Sequence, residues 1–253
     1  MRSDLEKRLV QAYPDFFAGR TLPLTQSLMA FGCECGAGWY PILDAMCSVL
    51  TERAAAEGRP VCRAIQIKEK YATLRAYMGG STEFERGAVW AAEDFSARLC
   101  EVSGRPGRLC KRGGWYATRA PDLAEHEGFT PCPSGPEDIP YIPPFDLAAI
   151  RAALPTRHAG LLTGPCEVPV GWADLVDGAL DLLRRKPHKP QDGAAPVTVA
   201  FVGEEAGKLV LDLRGGGAAA AGIAAFTLAM AKRIDPQTGC ATIPTPPEGS
   251  HDA

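Results

Sequence analysis

Acidic residues recur in matching surroundings and could carry general acid–base chemistry. In each half of the chain a Cys-Glu step precedes a Gly-Trp step and a later aspartate. Paired carboxylates can pass protons to and from a substrate. Alternatively, the glutamates interact with the dipole of a following helix, and the aspartates lie on its surface or bind a buried donor. A possible site between the two halves comprises Glu34, Trp39, Asp44, Glu167, Trp172 and Asp177, and we assign none of them as catalytic.

A run of basic and aromatic residues between positions 102 and 121 is the sharpest local feature. It contains no acid, and Gly113-Gly114 predicts the turn of a hairpin spanning 105–119. Such side chains can bind phosphates and stack on bases, or face an acidic protein surface. The alternative is a solvated hairpin whose tryptophan packs against the core. The candidate binding residues are Arg105, Arg108, Lys111, Arg112, Trp115, Tyr116 and Arg119.

Cysteines are the third residue type that could do chemistry. The chain has nine, an odd number at irregular spacing, and its charged N-terminus does not resemble an export signal. Cys33 and Cys35 could bind a metal or form a redox pair, but no second ligand pair follows at a fixed spacing. The matching positions are Cys166 and Val168. We predict buried, reduced thiols and no bound metal.

Two further segments could bind an anion. Gly215-Gly216-Gly217 follows a predicted strand and opens a predicted helix, the setting for phosphate binding at a helix N-terminus. No ribose-binding acid or following βαβ strand is evident, which favours a glycine-rich cap with close helix packing. Lys68-Glu69-Lys70 falls in a predicted hairpin turn, where it could bind an anion or simply be solvated.

The sequence contains no recognisable catalytic motif. The four histidines, His126, His158, His188 and His251, are scattered, and none lies in an HExxH or beside a GxSxG motif. A Walker A motif and a full dinucleotide fingerprint are also missing. We predict no cofactor, and a binding protein is expected over an enzyme.

Composition narrows the class of protein. Hydrophobic residues make up 46% and charged residues 23%, as in an ordinary globular protein. The net charge of -3 excludes a globally basic nucleic-acid binder but permits local basic patches. No apolar run reaches the roughly 18 to 20 residues of a membrane span, and Ala218–Ala231 is predicted as a buried helix. We expect a soluble, cytoplasmic protein that does not contact a membrane.

Hydrophobic periodicity predicts the elements that would position these residues. Apolar residues three and four apart predict helices at 4–13, from 39 to about 57, and at 83–99. We expect Ser3-Asp4 to cap the first of them. Alternation predicts strands at 61–68 and 73–78, joined by a turn at 69–72.

An internal repeat organises the chain. From Leu28 to Leu50, seven of 23 positions are identical to those 133 residues later, including a cysteine and a tryptophan. Two alternating segments, a glycine-rich step and a helix follow in the same order, and Ile150-x-x-x-Leu154-Pro155 echoes Leu9-x-x-x-Tyr13-Pro14. We predict an α+β fold made of two diverged helix–helix–β-hairpin–helix copies packed as a pseudo-symmetric pair. The copies span 1–130 and 145–242, with a proline-rich linker at 131–144 and a loose tail at 243–253.

Three segments of the first copy resemble a group of phage and prophage proteins of uncharacterised function. They are FGCECGAGWY from Phe31, QIKEKYATLR from Gln66, and CEVSGRPGRLCKRGGWY from Cys100. The resemblance covers residues 1 to about 130 and implies a phage or prophage source and a bacterial cytoplasm. Some members carry a zinc knuckle, but three of its ligand positions are occupied here by Ser103, Ala120 and Leu123. A structural zinc site needs four ligands, so we expect no zinc site in this chain.

These observations favour a phage-encoded, non-enzymatic protein that docks on a host protein or protein–nucleic acid complex. One such activity would be inhibition of host antiviral defence. A small-molecule or nucleotide binder with a pocket near Trp39 and Trp172 stays open, as does a nucleotide-processing enzyme using the repeated acids. A homo-oligomer is possible.

Overall fold

The chain has a mixed α+β fold. The computed structural model describes residues 1–132, 146–186 and 195–245, so most of the predicted linker and tail lies outside the described residues. The helices are α1 Ser3–Ala12, α2 Tyr40–Ala56, α3 Glu83–Ser96, α4 Pro121–His126, α5 Leu147–Arg157, α6 Ala173–Arg185 and α7 Gly217–Ala231. The strands are β1 Cys33–Glu34, β2 Arg63–Lys70, β3 Thr73–Gly79, β4 Arg108–Arg112, β5 Trp115–Arg119, β6 Thr130–Pro131, β7 Cys166–Glu167, β8 Thr198–Glu205 and β9 Lys208–Arg214. We call residues 1–132 the first unit and residues 146–245 the second unit.

Two of the sheets have the same topology. In β1-β2-β3 the short first strand runs parallel to β2, and β2 pairs antiparallel with β3. The order β7-β8-β9 repeats this arrangement in the second unit. The register is also the same, because Cys33 lies opposite Ile67 and Cys166 lies opposite Val202. The third sheet, β5-β4-β6, has no such counterpart among the described residues.

The two long hairpins turn through the same two-residue geometry. Tyr71 and Ala72 both have positive φ, as do Ala206 and Gly207, which matches the twist that flanking strands require. Our prediction that Lys68-Glu69-Lys70 forms the turn was wrong. These residues complete β2, because a two-residue turn needs only Tyr71 and Ala72 and leaves the residues before them in the ladder.

Helices α2, α3, α6 and α7 pack together and carry much of the core. The largest helix–helix contact joins α3 to α7, and it depends on one glycine in each helix. A Cβ at Gly87 would lie 2.0 Å from the carbonyl oxygen of Ala219, and one at Gly222 would lie 1.9 Å from that of Phe84. Each helix therefore presents a glycine to the backbone of the other, which lets the two axes approach closely.

The two repeated tryptophans anchor equivalent loops. Trp39 is fully buried and donates from Nε1 to the carbonyl oxygen of Leu99, at 2.8 Å. Trp172 is almost fully buried and donates to the carbonyl oxygen of Ile234, at 3.3 Å. Burial of an indole with its N–H satisfied is a stable arrangement. Each ring fastens the start of one helix to the chain after another helix of the same unit.

The residues that end the first helices of the two units contact equivalent aspartates, Tyr13 contacting Asp44 and His158 contacting Asp177, which corrects our alignment of these helices. Tyr13 caps α1 and His158 caps α5. The echo of Pro14 in Pro155 predicted that Tyr13 matches Leu154, one turn earlier. That echo misleads because Pro155 lies inside α5, which continues to Arg157.

Several boundaries of the predicted helix, linker and tail differ from those observed. Arg2 occupies the N-cap position of α1, and no side chain caps that helix. Pro131, placed in the predicted linker, pairs with Cys110 in β6. At the start of the predicted tail, the side chain of Arg2 donates to the carbonyl oxygen of Pro244.

Among the described residues no helix is both long and apolar enough to cross a membrane.

Candidate functional site

The hairpin β4–β5 is supported on both faces. On one face Cys110 and Ala117 pack against Ala124 of α4 and Phe129. On the other face Leu109, Cys132 and Tyr116 pack against Ala72 at the β2–β3 turn. The hydroxyl of Thr118 donates to the carbonyl oxygen of Ala72 at 2.7 Å, which joins the two hairpins. Successive side chains of a strand point to opposite faces, so the neighbours Leu109 and Cys110 reach different supports.

The base of the hairpin is neutralised by acids outside the basic run. Arg105 pairs with Asp122. Arg119 donates to Glu127 at 2.9 Å and lies 3.4 Å from Glu101. Arg108 donates to the carboxylate of Asp174 in the second unit, at 2.7 Å. These three arginines therefore hold the hairpin in place, and they are not its free cationic surface.

The tip of the hairpin is exposed, and we define it as Lys111, Arg112, Trp115 and Tyr116. Trp115 keeps 77% of its surface exposed, so the alternative that it packs against the core is wrong. It lies opposite Arg112, whose guanidinium is 4.7 Å from the ring centre of Phe129 and donates to the carbonyl oxygen of Glu127. Lys111 is exposed opposite the half-buried Tyr116. A fixed arginine thus flanks an open indole.

Exposed large apolar side chains are concentrated in the first unit. Among the described residues they are Leu24, Phe31, Tyr71, Tyr77, Val102 and Trp115, and none lies in the second unit. Lys70 lies 5.6 Å from the Tyr71 ring, and Lys68 lies at the same distance from the Tyr77 ring. The first unit therefore offers basic–aromatic surface, whereas the positions of the second unit that match Lys68 and Lys70 are Gly203 and Glu205.

A buried ion network joins the two units. Arg98 is 1% exposed at the end of α3, and its guanidinium reaches α6 of the second unit. It donates to Asp174 at 2.8 Å and to Asp177 at 2.9 Å. Gly178 makes room for it, because a Cβ there would lie 2.8 Å from its Nε. Burying a charged group carries a large desolvation cost unless the charge is paired and hydrogen-bonded, as the guanidinium of Arg98 is here.

The surroundings of Asp177 favour the ionised form of its carboxyl group. Burial opposes the charge, but a 2.9 Å hydrogen bond with His158 and the charges of Arg98 and Arg157 outweigh it, so the pKa of Asp177 lies below its usual value. Its carboxylate oxygens are thus occupied by structural partners. A general base would need a free oxygen facing a substrate.

An equivalent contact runs in the opposite direction between the units. Arg233 ends the second-unit helix α7 as Arg98 ends α3, and it donates to Asp44 of the first unit at 2.7 Å. The hydroxyl of Tyr13 donates to the same carboxylate at 2.8 Å. Burial and the neighbouring Asp44 raise the pKa of Tyr13. Asp44 and Asp177 therefore both bind an arginine of the opposite unit.

The six residues of the predicted inter-repeat site are not brought together. The two tryptophans are buried in separate loops, and the two aspartates lie in ion pairs between the units. Glu34 and Glu167 are exposed on the short strands β1 and β7, and they do not cap a helix. The cavity between α3, α6 and α7, lined by Asp94, Gly178 and Thr227 among others, has a volume of about 10 Å³. That is room for about one water molecule.

The other candidate segments have structural roles. Gly215, Gly216 and Gly217 all have positive φ, and the amide of Gly216 donates to the carbonyl oxygen of Ala195. A Cβ at Gly215 would clash with the carbonyl oxygen of Pro196 at 2.4 Å. The loop is therefore packed against its own chain. Across the described ranges, no cluster of three or more His, Cys, Asp or Glu could hold a metal ion.

All nine cysteines are free, and seven are buried. Burial raises the pKa of Cys33 and of Cys62 to about 12, and that of Cys110 to about 11. The thiolate is the reactive form of cysteine.

We expect iodoacetamide to modify the half-buried Cys166 and Cys240 first and the buried thiols at least about 100-fold more slowly. Mass spectrometry of tryptic peptides after timed labelling would measure this, and fast labelling of Cys33 would contradict it.

Fold and surface together define an α+β protein with two topologically equivalent units and one exposed basic–aromatic hairpin. Comparison with protein-family models, with characterised proteins and with solved structures finds no match.

Proposed function

We propose that this chain is a non-enzymatic binding protein that docks on a host macromolecule through the hairpin tip. The observation that carries the proposal is the exposure of Trp115, with 77% of its surface open opposite Arg112 and with the exposed Lys111 adjacent to Arg112 on β4. Tryptophan and arginine are the residues most enriched among those that dominate binding energy at interfaces. A large exposed apolar side chain with cationic neighbours suits a partner surface that is both acidic and apolar.

The supporting ion pairs make the tip suitable for binding. Arg105, Arg108 and Arg119 are bound by carboxylates, and Thr118 ties the hairpin to the β2–β3 turn. A surface held in its bound geometry loses less conformational entropy on association. Nearby Lys70 and Tyr71 extend the same chemistry, because their turn packs against the face that bears Tyr116. Because the third sheet occurs once among the described residues, the function belongs to the first unit.

The repeated acids give less support to an enzyme. Asp44 is held by Tyr13 and Arg233, and Asp177 by His158 and Arg98. These contacts join the two units and engage both carboxylates with structural partners. A structural role explains why both copies keep them, and duplication of one ancestral unit accounts for the reciprocal contacts.

The resemblance to phage and prophage proteins supports a bacterial cytoplasm as the setting that we propose for this binding activity. A phage protein with an exposed docking surface and an accessory architecture would act on a host protein or a protein–nucleic acid complex. Inhibition of a host antiviral defence is the role that we propose.

Replacing Trp115 with alanine should weaken binding to the host partner about 10- to 100-fold, because the open indole is the anchor. The tagged protein would be isolated gently from a bacterial host lysate, and the co-isolated mass would be identified by native mass spectrometry. The affinity of purified partner would then be measured for the wild type and for Trp115→Ala.

Tyr77→Ala is the matched control, because Tyr77 is an exposed aromatic of the first unit that belongs to β3 and not to the hairpin β4–β5. We expect it to bind as the wild type does. Equal affinity of Trp115→Ala and the wild type would refute docking through the tip. A small bound metabolite in place of a macromolecule would favour a ligand-binding function.

A further inference from the structure

The sheet β1-β2-β3 has one buried face and one outward face. Successive side chains of a strand alternate between the two faces, and residues paired across neighbouring strands share a face. On the buried face Ile67 pairs with Ala76. The pairs on the outward face are Gln66 with Tyr77, Lys68 with Arg75, and Lys70 with Thr73. We define Lys68, Lys70 and Arg75 as the basic sheet face.

The strand separates the charges of the Lys68-Glu69-Lys70 segment. Glu69 belongs to the opposite face, and its carboxylate accepts from the backbone amide of Ala72 at 2.6 Å. The two lysines therefore lie together on the outward face, about 6.8 Å apart at roughly 3.4 Å per residue. Within the described ranges neither lysine forms an ion pair, and this includes Lys68 with Glu34, which lies opposite it in β1. The face thus presents two ammonium groups that have no carboxylate partner.

Each lysine of the basic sheet face lies beside a tyrosine. The ammonium of Lys68 is 5.6 Å from the centre of the Tyr77 ring, and that of Lys70 is 5.6 Å from the centre of the Tyr71 ring. Tyr71 is at the β2–β3 turn and keeps 53% of its surface exposed. The outward face therefore ends at an open aromatic ring next to a cation.

Arg75 is held on the surface of β3. Its guanidinium donates to the hydroxyl of Thr73 and to the carbonyl oxygen of Leu74. On the edge of the same strand, α3 accepts two backbone amides, that of Leu74 at Ser96 and that of Ala76 at the carboxylate of Glu93. Burial raises the pKa of Glu93, and the charge of Arg75 opposes that shift without a hydrogen bond between the two groups. The guanidinium thus keeps N–H groups for an acceptor outside the chain.

The three cations do not stabilise the sheet. Lys68 lies directly opposite Arg75, and like charges at opposed positions destabilise a sheet. The second sheet, which has the same topology and register, carries no cation at the three matching positions, which are Gly203, Glu205 and Val210. The fold therefore forms without these charges. A bound polyanion would relieve the repulsion, which gives the charges a role in binding.

We infer that the basic sheet face binds single-stranded nucleic acid. Lysines two residues apart on one strand can contact successive phosphates of an extended chain, and Arg75 adds a guanidinium across the sheet. An unpaired base can stack on the open ring of Tyr71, as bases stack on aromatic side chains in proteins that bind single strands. The bases of a duplex already stack on one another, and an acidic peptide offers no base.

This inference does not rest on docking through the hairpin tip. The basic sheet face belongs to β2 and β3. Trp115 and Arg112 lie on the face of the hairpin that packs against α4 and Phe129, whereas the β2–β3 turn contacts the opposite face of the hairpin. The two surfaces therefore adjoin only through that turn, and different ligands test them.

Lys68→Gln combined with Lys70→Gln should lower the affinity for a single strand at least about tenfold. The probe is a fluorescein-labelled oligodeoxythymidylate of about 20 nucleotides, and its anisotropy would measure binding to the full chain between about 50 and 200 mM NaCl. The slope of log K against log salt should fall in magnitude by about 1.4, because each neutralised phosphate of a single strand contributes about 0.7. Lys208→Gln combined with Lys232→Gln is the matched control. It removes two exposed cations of the second unit and should leave the affinity and the slope unchanged.

Tyr71 gives a test that does not depend on charge. Tyr71→Ala should weaken binding about tenfold without changing the salt slope, and Tyr71→Phe should retain the affinity of the wild type, because the ring carries the stacking. We expect a duplex of the same length to bind less tightly than the single strand.

Three results would overturn the inference. The first is a wild type that does not bind the strand, or a double lysine variant that binds it as the wild type does. The second is equal affinity for polyglutamate of the same net charge, which would point to an acidic protein segment instead. The third is a loss in Trp115→Ala as large as that in the double lysine variant, which would place the strand on the hairpin tip. None of these results decides whether the host partner docks on the tip, because that affinity is measured with the partner itself.

Discussion

Arg98→Ala should lower the free energy of unfolding by about 3–5 kcal/mol, the largest loss that we expect from any single side chain. The guanidinium is fully buried and satisfies Asp174 and Asp177 of the other unit. Its removal leaves two carboxylates that are almost inaccessible to water, and Arg108 and His158 compensate only in part. Urea denaturation followed by tryptophan fluorescence would measure the change, since Trp39 and Trp172 are both buried.

The equivalent pair between the units gives a control. Arg233 and Asp44 have about a fifth of their side-chain surfaces exposed, at 20% and 23%. Solvent can therefore solvate Asp44 once its partner is gone, and Arg233→Ala should cost about 1 kcal/mol. Equal losses in the two variants would show that burial does not set the strength of these contacts. A neutral effect of Arg98→Ala would mean that the units do not depend on the network.

The residue types of the contacts between the two units could be anticipated from the sequence. The sequence did not show that each arginine binds an aspartate of the opposite unit. Asp44 and Asp177 occupy matching positions of the repeat, and Arg233 follows α7 as Arg98 follows α3. Pairing within one unit would satisfy that pattern as well as pairing across units. Only the close approach of α3 and α7 carries each arginine to the opposite unit, and that approach follows from packing rather than from local propensity.

The hairpin β4–β5 likewise has some features that the sequence predicts and others that only the folded chain shows. Its strands, turn and cationic composition follow from local patterns, because alternation and Gly113-Gly114 act within a few residues. The neutralisation of its base does not, because Asp122, Glu127 and Asp174 lie outside the basic run. A charge count over a window therefore overstated the free positive surface. The exposure of Trp115 likewise depends on what packs near the tip, which the window does not contain.

Edge protection also depended on contacts that no local pattern predicts. Ser96 and Glu93 are on the helix that follows β3, and their counterparts Ala231 and Leu228 differ in a way that the alignment alone would record as ordinary divergence. The second unit therefore has no hydrogen-bond acceptor side chains at the two matching positions of α7.

Gly87→Ala and Gly222→Ala should each lower the free energy of unfolding by about 2–3 kcal/mol, even though alanine favours helix formation by up to about 1 kcal/mol. Each new Cβ would lie about 2 Å from a carbonyl oxygen of the opposite helix, at 2.0 Å for Gly87 and 1.9 Å for Gly222. Neither neighbour is a flexible side chain, so α3 and α7 must separate. Gly114→Ala, whose Cβ would meet nothing within 4 Å, should be close to neutral in the same urea denaturation.

The double variant distinguishes a shared clash from two separate ones. Separating α3 from α7 to admit one Cβ also makes room for the other, because both glycines lie in the same helix crossing. Coupled residues give non-additive changes in stability, so Gly87→Ala with Gly222→Ala should cost less than the sum of the single variants. Strict additivity would indicate that each clash is relieved locally and that the crossing does not move as one unit. The close helix contact would then be a property of two separate sites.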